Sequence, residues 1–174
     1  GCTVDFDTKI VKFPGWLVEE SARRAPSSFS VKARIPEDDL RIGLSTLYFM
    51  PAAGAKLHDE NTGNLSVATL HENNMGVKLC DSLETVDFQA SYCPFFELKD
   101  VEPVMLLAES QASIARFSTK VSRGAQATDS FIWETKIANA VGKQLIGTME
   151  GAAPLCFPED AINAAFEYMD NGFP

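Results

Sequence analysis

Two clusters of side chains are the ones most readily put to chemical use. His58-Asp59-Glu60 and His71-Glu72 each set an imidazole beside carboxylates, the pairing by which a neutral histidine serves as a general base or a metal ligand. A small hydrolase would use His58 or His71 in this way. Both histidines sit in or beside polar turns. If the turns at 61–64 and 71–74 close successive hairpins, they lie at opposite ends of a sheet and cannot share a metal. No Gly-x-Ser-x-Gly elbow accompanies them, and Glu37-Asp38-Asp39 lacks the spacing of a calcium loop. The expectation is a binding protein without catalytic residues, metal or cofactor.

Charge narrows the partners. Against 15 Lys and Arg stand 24 Asp and Glu, a net −9, which repels a phosphate backbone and argues against nucleic acid. Arg116, Lys120 and Arg123 form a small basic stripe, read as complementing the dipole at a helix C-terminus. After Lys143 there is no Lys or Arg, while Glu150, Glu159, Asp160, Glu167 and Asp170 accumulate. Such a face favours a protein partner with a basic surface. The candidate partner-binding residues are His58, Asp59, Glu60, Glu159, Asp160 and Glu167.

The cysteines suggest a compartment. The chain opens Gly1-Cys2, like the junction at which a bacterial lipoprotein signal is removed, and Cys2 is the candidate for lipidation and membrane attachment. With Cys2 modified, Cys80, Cys93 and Cys156 are left for one disulfide; with all four free, three pairings are open. Cys80 and Cys93 flank a predicted strand, so that bridge is disfavoured and Cys93 with Cys156 is preferred. No spacing fits a zinc site, and no apolar run approaches the roughly 18 residues of a membrane-spanning helix. The expected location is the bacterial envelope, secreted, periplasmic or anchored at the outer membrane.

The elements that must position these residues follow from periodicity. Thr3 to Phe13 reads as an extended opening strand, and Trp16 to Arg24 as a short amphipathic helix. Ser28 to Ile35 alternates Phe29, Val31, Ala33 and Ile35 against polar residues, a half-buried strand. Leu40 to Met50 reads as a more buried one. Turn clusters at 61–64 and 73–74 make Leu57 to Cys80 a meander in which Ala68, Leu70, Met75 and Val77 face the core, and Thr85 to Tyr92 alternates again. Three helices are predicted next. The first runs from Asp100 with Leu107, Ile114, Phe117 and Val121 on one face. The second starts near Asp129 with Trp133, Ile137, Val141 and Leu145 and is weakened by Gly142. The third follows Pro158, with Ile162, Ala165, Phe166 and Met169 as its apolar stripe. The fold class is α+β in one domain over 1–174, β-rich and antiparallel through 98 and helical from 99.

The C-terminal segment Gly147-Thr148-Met149-Glu150-Gly151, then Leu155-Cys156-Phe157-Pro158-Glu159, then a last helix ending near Tyr168 and Pro174, resembles the Tai-type periplasmic immunity proteins. That resemblance covers about a fifth of the chain. It implies a non-enzymatic protein that occludes a secreted toxin, with Cys156 in a disulfide. The expected function is accordingly a non-catalytic envelope binding protein or inhibitor. The alternatives are a subunit of a membrane-associated assembly, showing an apolar patch around Phe95, Phe96 and Phe173, and the small hydrolase above.

Overall fold

The computed structural model describes residues 1–43, 45–51, 56–90, 100–124, 129–149 and 151–174. Cys93, Phe95, Phe96 and Glu150 lie outside them. The architecture is mixed α+β. Three hairpins form locally: β1 (Thr3–Asp5) with β2 (Ile10–Lys12), β3 (Ser28–Val31) with β4 (Leu40–Gly43), and β5 (Lys56–His58) with β6 (Leu65–Val67), all antiparallel. Helix α1 (Gly15–Arg24) follows the first hairpin and buries no residue.

The rest of the chain alternates helix with parallel extended segment. β7 (Ser122–Arg123) and β8 (Leu145–Ile146) pair in parallel across helix α4 (Ser130–Ala140). Gln89 bridges Ser122 in parallel across helix α3 (Pro103–Phe117). Just before Gln89, the carbonyl of Phe49 accepts the Asp87 N–H at 2.8 Å, with helix α2 (Leu70–Ser82) lying between the two in sequence. Beyond α5 (Glu159–Asp170) the chain returns to β8, where the carbonyl of Pro174 accepts the Gly147 N–H at 2.8 Å. Backbone hydrogen bonds thus tie Phe49 to Asp87 and Pro174 to Gly147 at the flanks, while β7 with β8 and Gln89 with Ser122 are parallel neighbours, each pair joined through a helix. This is the connection a parallel arrangement requires, because its strands cannot be linked by tight turns.

Side-chain alternation assigns the two faces of this layer. Phe88, Val121 and Ile146 pack against Val31, Ala33 and Leu40 of the β3–β4 hairpin. Leu145 and Phe173 point the other way, into a cluster with Phe131, Ala138, Ala164 and Tyr168 from α4 and α5. The hairpin is also stitched to the amino ends of the strands. Gln144 N–H donates to the Lys32 carbonyl at 2.8 Å, Lys32 N–H donates to Gln144 Oε1 at 2.9 Å, and Arg34 N–H donates to the Thr119 carbonyl at 2.9 Å.

Several expectations need correction. Residues 70–82 are a helix and not strands of a meander; Val77 and Ala68 are buried as expected, but Met75 is exposed. Thr69 and Glu72 form a capping box, the Thr69 N–H donating to the Glu72 carboxylate at 2.9 Å, which satisfies donors that a helix start leaves open. Residues 122–123, expected at the end of the first predicted helix, form a strand, and Ser122 bridges Gln89 in parallel, whereas the strand at 85–92 was expected to have antiparallel neighbours. Gly142, at φ 74°, turns the chain just after α4 ends, so it stops the helix instead of weakening its interior. The inward faces of α4 and α5 also differ. Trp133, Ile162, Phe166 and Met169 are exposed, and Phe131, Glu134, Ala138, Ala164 and Tyr168 are buried.

The accessible surface is 11297 Å². A folded monomer of 19.0 kDa shows about 8,400 Å² by the usual size scaling, so this chain leaves faces uncovered, the first hairpin and α1 among them. Among the described residues, no helix is long and apolar enough to cross a membrane.

Candidate functional site at the carboxyl ends of the parallel strands

In sheets built from strand–helix–strand units, the loops that leave the carboxyl ends of the strands converge on one side. Ligands bind there, while the amino ends serve stability. Here the carboxyl ends are Ala90, Arg123-Gly124 and Ile146-Gly147-Thr148. Because Val121 faces the hairpin and the Ser122 hydroxyl accepts the Gln111 amide of α3 at 2.7 Å, alternation turns Arg123 to the same side as Val121. Thr148 follows Ile146 to that side by the same rule. The two meet, Arg123 Nε donating to Thr148 Oγ1 at 3.3 Å. By this alternation the pair stands on the hairpin side of the strands, at their carboxyl ends, half-buried.

Behind this pair the strands carry glycine for a reason of packing. A Cβ at Gly124 would overlap the Tyr168 hydroxyl, and one at Gly147 would lie 2.8 Å from Tyr168 Cδ2. Tyr168, from α5, lays its ring on the bare backbone of both strand ends and approaches Glu134 of α4, Oη to Oε2 at 3.5 Å. Burial and the Glu134 carboxylate raise the Tyr168 pKa far above its ordinary value. The phenol stays protonated and serves as a hydrogen-bond donor, not a base. Beside it, Met149, Met169, Tyr168 and Phe173 enclose a hollow of about 150 Å³ with almost no polar wall, chemically suited to an apolar or methyl-bearing group.

A larger hollow of about 410 Å³ lies at the amino ends, among Asp38, Asp39, Asp81, Asp87 and Lys120. Its polar groups hold the fold together. Lys120 Nζ donates to the carbonyls of Cys80 and Leu83 at 3.0 and 2.8 Å, closing the C-terminus of α2. Asp81 accepts the Ser118 hydroxyl at 2.7 Å and the Thr119 N–H at 3.1 Å.

The residues singled out from sequence are scattered. His58 ends β5 and Asp59-Glu60 form its exposed turn, where Asp59 accepts Asn61 N–H at 2.9 Å and Thr62 Oγ1 at 2.8 Å. Those two bonds, the Thr62 hydroxyl first, lower the Asp59 pKa. His71 sits exposed in the first turn of α2, not in a hairpin loop. Glu159 and Asp160 open α5, and Glu167, near its end, accepts Asn171 Nδ2 at 3.0 Å. The basic stripe does not exist as one: Arg116 pairs with Glu109 at 2.5 Å, Lys120 closes α2, and Arg123 belongs to β7. Cys2, Cys80 and Cys156 are free thiols; the Cys93–Cys156 pairing falls partly outside the described residues. Burial raises the Cys80 pKa, although Lys120 opposes it. Among the described residues no three His, Cys, Asp or Glu converge to hold a metal ion.

Comparison with known proteins assigns the chain. Residues 1–174 match the family described as Trimethylamine methyltransferase (MTTB). Over 88 residues the chain is 31% identical to the trimethylamine methyltransferase MttB of Desulfitobacterium hafniense (strain DSM 10664 / DCB-2). That stretch is 50% of this chain and spans 18% of the relative. The match over the whole length overturns the resemblance to Tai-type immunity proteins, which rested on a Cys-x-Pro-Glu turn and a final helix, features common to many folds. The non-catalytic inhibitor, the envelope lipoprotein and the small hydrolase built on His58 or His71 fall with it. The chain belongs to the trimethylamine methyltransferase (MTTB) family, a family of enzymes.

Proposed function

We propose that the chain supplies part of the site of an enzyme that moves a methyl group from a methylated amine to an acceptor, and that this part is the carboxyl-end face bearing Arg123 and Thr148. The family match over residues 1–174 is the observation that carries the reaction class. The strand order supplies the location, since parallel strand–helix units place their chemistry at the carboxyl ends.

In such a transfer the carbon–nitrogen bond breaks, the electron pair stays on nitrogen, and the methyl group passes to a nucleophile. The departing nitrogen must carry a positive charge before the bond breaks. Tyr168, its phenol turned to Glu134 and its pKa far raised, is too weak an acid to supply that proton. Arg123, a permanent cation with donors only, would repel the charged amine and so orients an anionic or carbonyl group of the methyl acceptor instead. Its bond to Thr148 restricts the guanidinium before any ligand arrives, which lowers the ordering cost of binding. The hollow between Met149 and Tyr168 offers apolar wall to methyl groups.

The test uses the intact protein in an extract of its source organism, which provides the acceptor, with trimethylamine carrying labelled methyl groups. Formation of dimethylamine and loss of label from the amine are expected. Trimethylamine left intact, alongside turnover of no other methylated amine, would reject the reading.

A further inference from the structure

Lys143 lies between α4 and β8 and is buried, 2% exposed. Its ammonium has one hydrogen-bond partner, the carbonyl of Lys120 at 3.4 Å, and no ion pair among the described residues. An ammonium taken out of water without a carboxylate is costly to charge. It borders the seam that ties the β3–β4 hairpin to the amino ends of β7 and β8: Gln144, next in the chain, makes two of that seam's bonds with Lys32, the Lys120 carbonyl it reaches adjoins the Thr119 carbonyl that accepts the Arg34 N–H, and the Arg34 charge acts on it.

We propose that the β3–β4 hairpin is a pH-sensitive plug on the amino ends of the parallel strands, with Lys143 as its sensor: neutral Lys143 keeps the seam closed, and protonation loosens it.

The surrounding charges are arranged for this. From the hairpin, Arg34 presents a like charge while donating from Nη1 to the Ala115 carbonyl at 3.1 Å. From the approach to β7, Lys120 adds a second cation, its ammonium committed to the end of α2. From α2, Asp81 is the opposing charge, and it is engaged by Ser118 and Thr119. From the short turn at 36–38 and its flank, Asp38 accepts the Thr119 hydroxyl at 2.5 Å and Asp39 accepts the Ala33 N–H at 2.7 Å. Each of these carboxylates thus has another donor to serve. Burial first, then Arg34, pulls the Lys143 pKa from 10.5 down to about 7, against Asp81. The sign follows. Between about 7 and 10.5 the opened chain holds a proton that the closed one does not, so closure strengthens as pH rises through that window. Below it both states are charged and the dependence ends.

The experiment is amide hydrogen exchange at Lys32, Arg34 and Gln144 in the full chain, read as protection factors from pH 6 to pH 9. Protection should rise about tenfold between pH 6 and pH 8 in the wild type and stay level in Lys143→Met. Protection independent of pH, or the same slope in Lys143→Met, would overturn the proposal. If the variant does not fold, side-chain NMR titration of Lys143 in the wild type decides: a midpoint near 7 supports the sensor, and one above 9 removes it.

Discussion

The two ends of the parallel strands are built differently from the same few residues. At the amino end, Asp38, Asp81, Ser118, Thr119 and Lys120 satisfy one another and the chain termini of α2, and the β3–β4 hairpin lies across them. At the carboxyl end, two glycines admit the Tyr168 ring, Arg123 bonds Thr148, and Thr148 borders the apolar hollow of Met149, Met169 and Phe173. Polar groups already committed to backbone have nothing left to offer a ligand. Arg123 and Thr148, half-buried at the strand ends and bonded side chain to side chain, are committed to no helix terminus. The difference teaches which hollow to choose: the larger one, at the amino end, is structural, and the face at the carboxyl end is where chemistry belongs.

The largest effect expected on that contrast comes from Gly124→Ala. Its Cβ would meet the Tyr168 ring, and overpacking of this kind costs about 3 kcal/mol, visible as a lower urea midpoint. Asp81→Ala comes next. It strips acceptors from the Ser118 hydroxyl and the Thr119 amide, and about 2 kcal/mol of stability should go. At temperatures where the variant stays folded, methyl transfer should continue at the parental rate. Thr148→Val sharpens the contrast from the other side: it keeps shape, removes the Nε bond of Arg123, and should slow turnover severalfold with a stability change under about 1 kcal/mol. Smallest is Glu20→Gln in the exposed helix α1. Its pairs with Arg23 and Arg24, at 2.5 and 2.8 Å, lie in solvent, and thermal melting should move by the equivalent of less than about 0.5 kcal/mol.

Much of the helical part was legible in the sequence. Pro103 and Pro158, with Gly172, mark two starts and a stop that the structure keeps within a few residues, whereas Gly142, taken for an interior weakness, is where α4 stops. The alternation of Val31 and Ala33 also survives, because one face of that strand has a single partner layer. Helix α2 was hidden. Asn73, Asn74 and Gly76 are poor helix formers, and contacts with α3 outweigh them. Thr69-x-x-Glu72 was the signal that could have found it. The parallel segments were hidden for another reason: each is two or three residues long, too short for any period to show. That is why Arg123 was assigned to a helix face. Helix α3 ends at Phe117, and six residues later the same arginine stands at the end of a strand. The inward faces of α4 and α5 misled because polar and small side chains lie inward beside Phe131 and Tyr168, namely Ser130, Glu134, Thr135 and Ala138 on α4 and Ala161 and Ala164 on α5, so the most apolar stripe of each helix is not its buried one.

The most direct test of the account is Arg123→Gln in the intact protein, with dimethylamine formation from trimethylamine and the urea midpoint measured on the same preparation, and Asp81→Ala alongside. The account predicts at least about a tenfold loss of rate for Arg123→Gln, or about 1.4 kcal/mol of transition-state stabilisation, with the midpoint unmoved, and the reverse pattern for Asp81→Ala. Full activity in Arg123→Gln, or loss of activity in a folded Asp81→Ala, would contradict it.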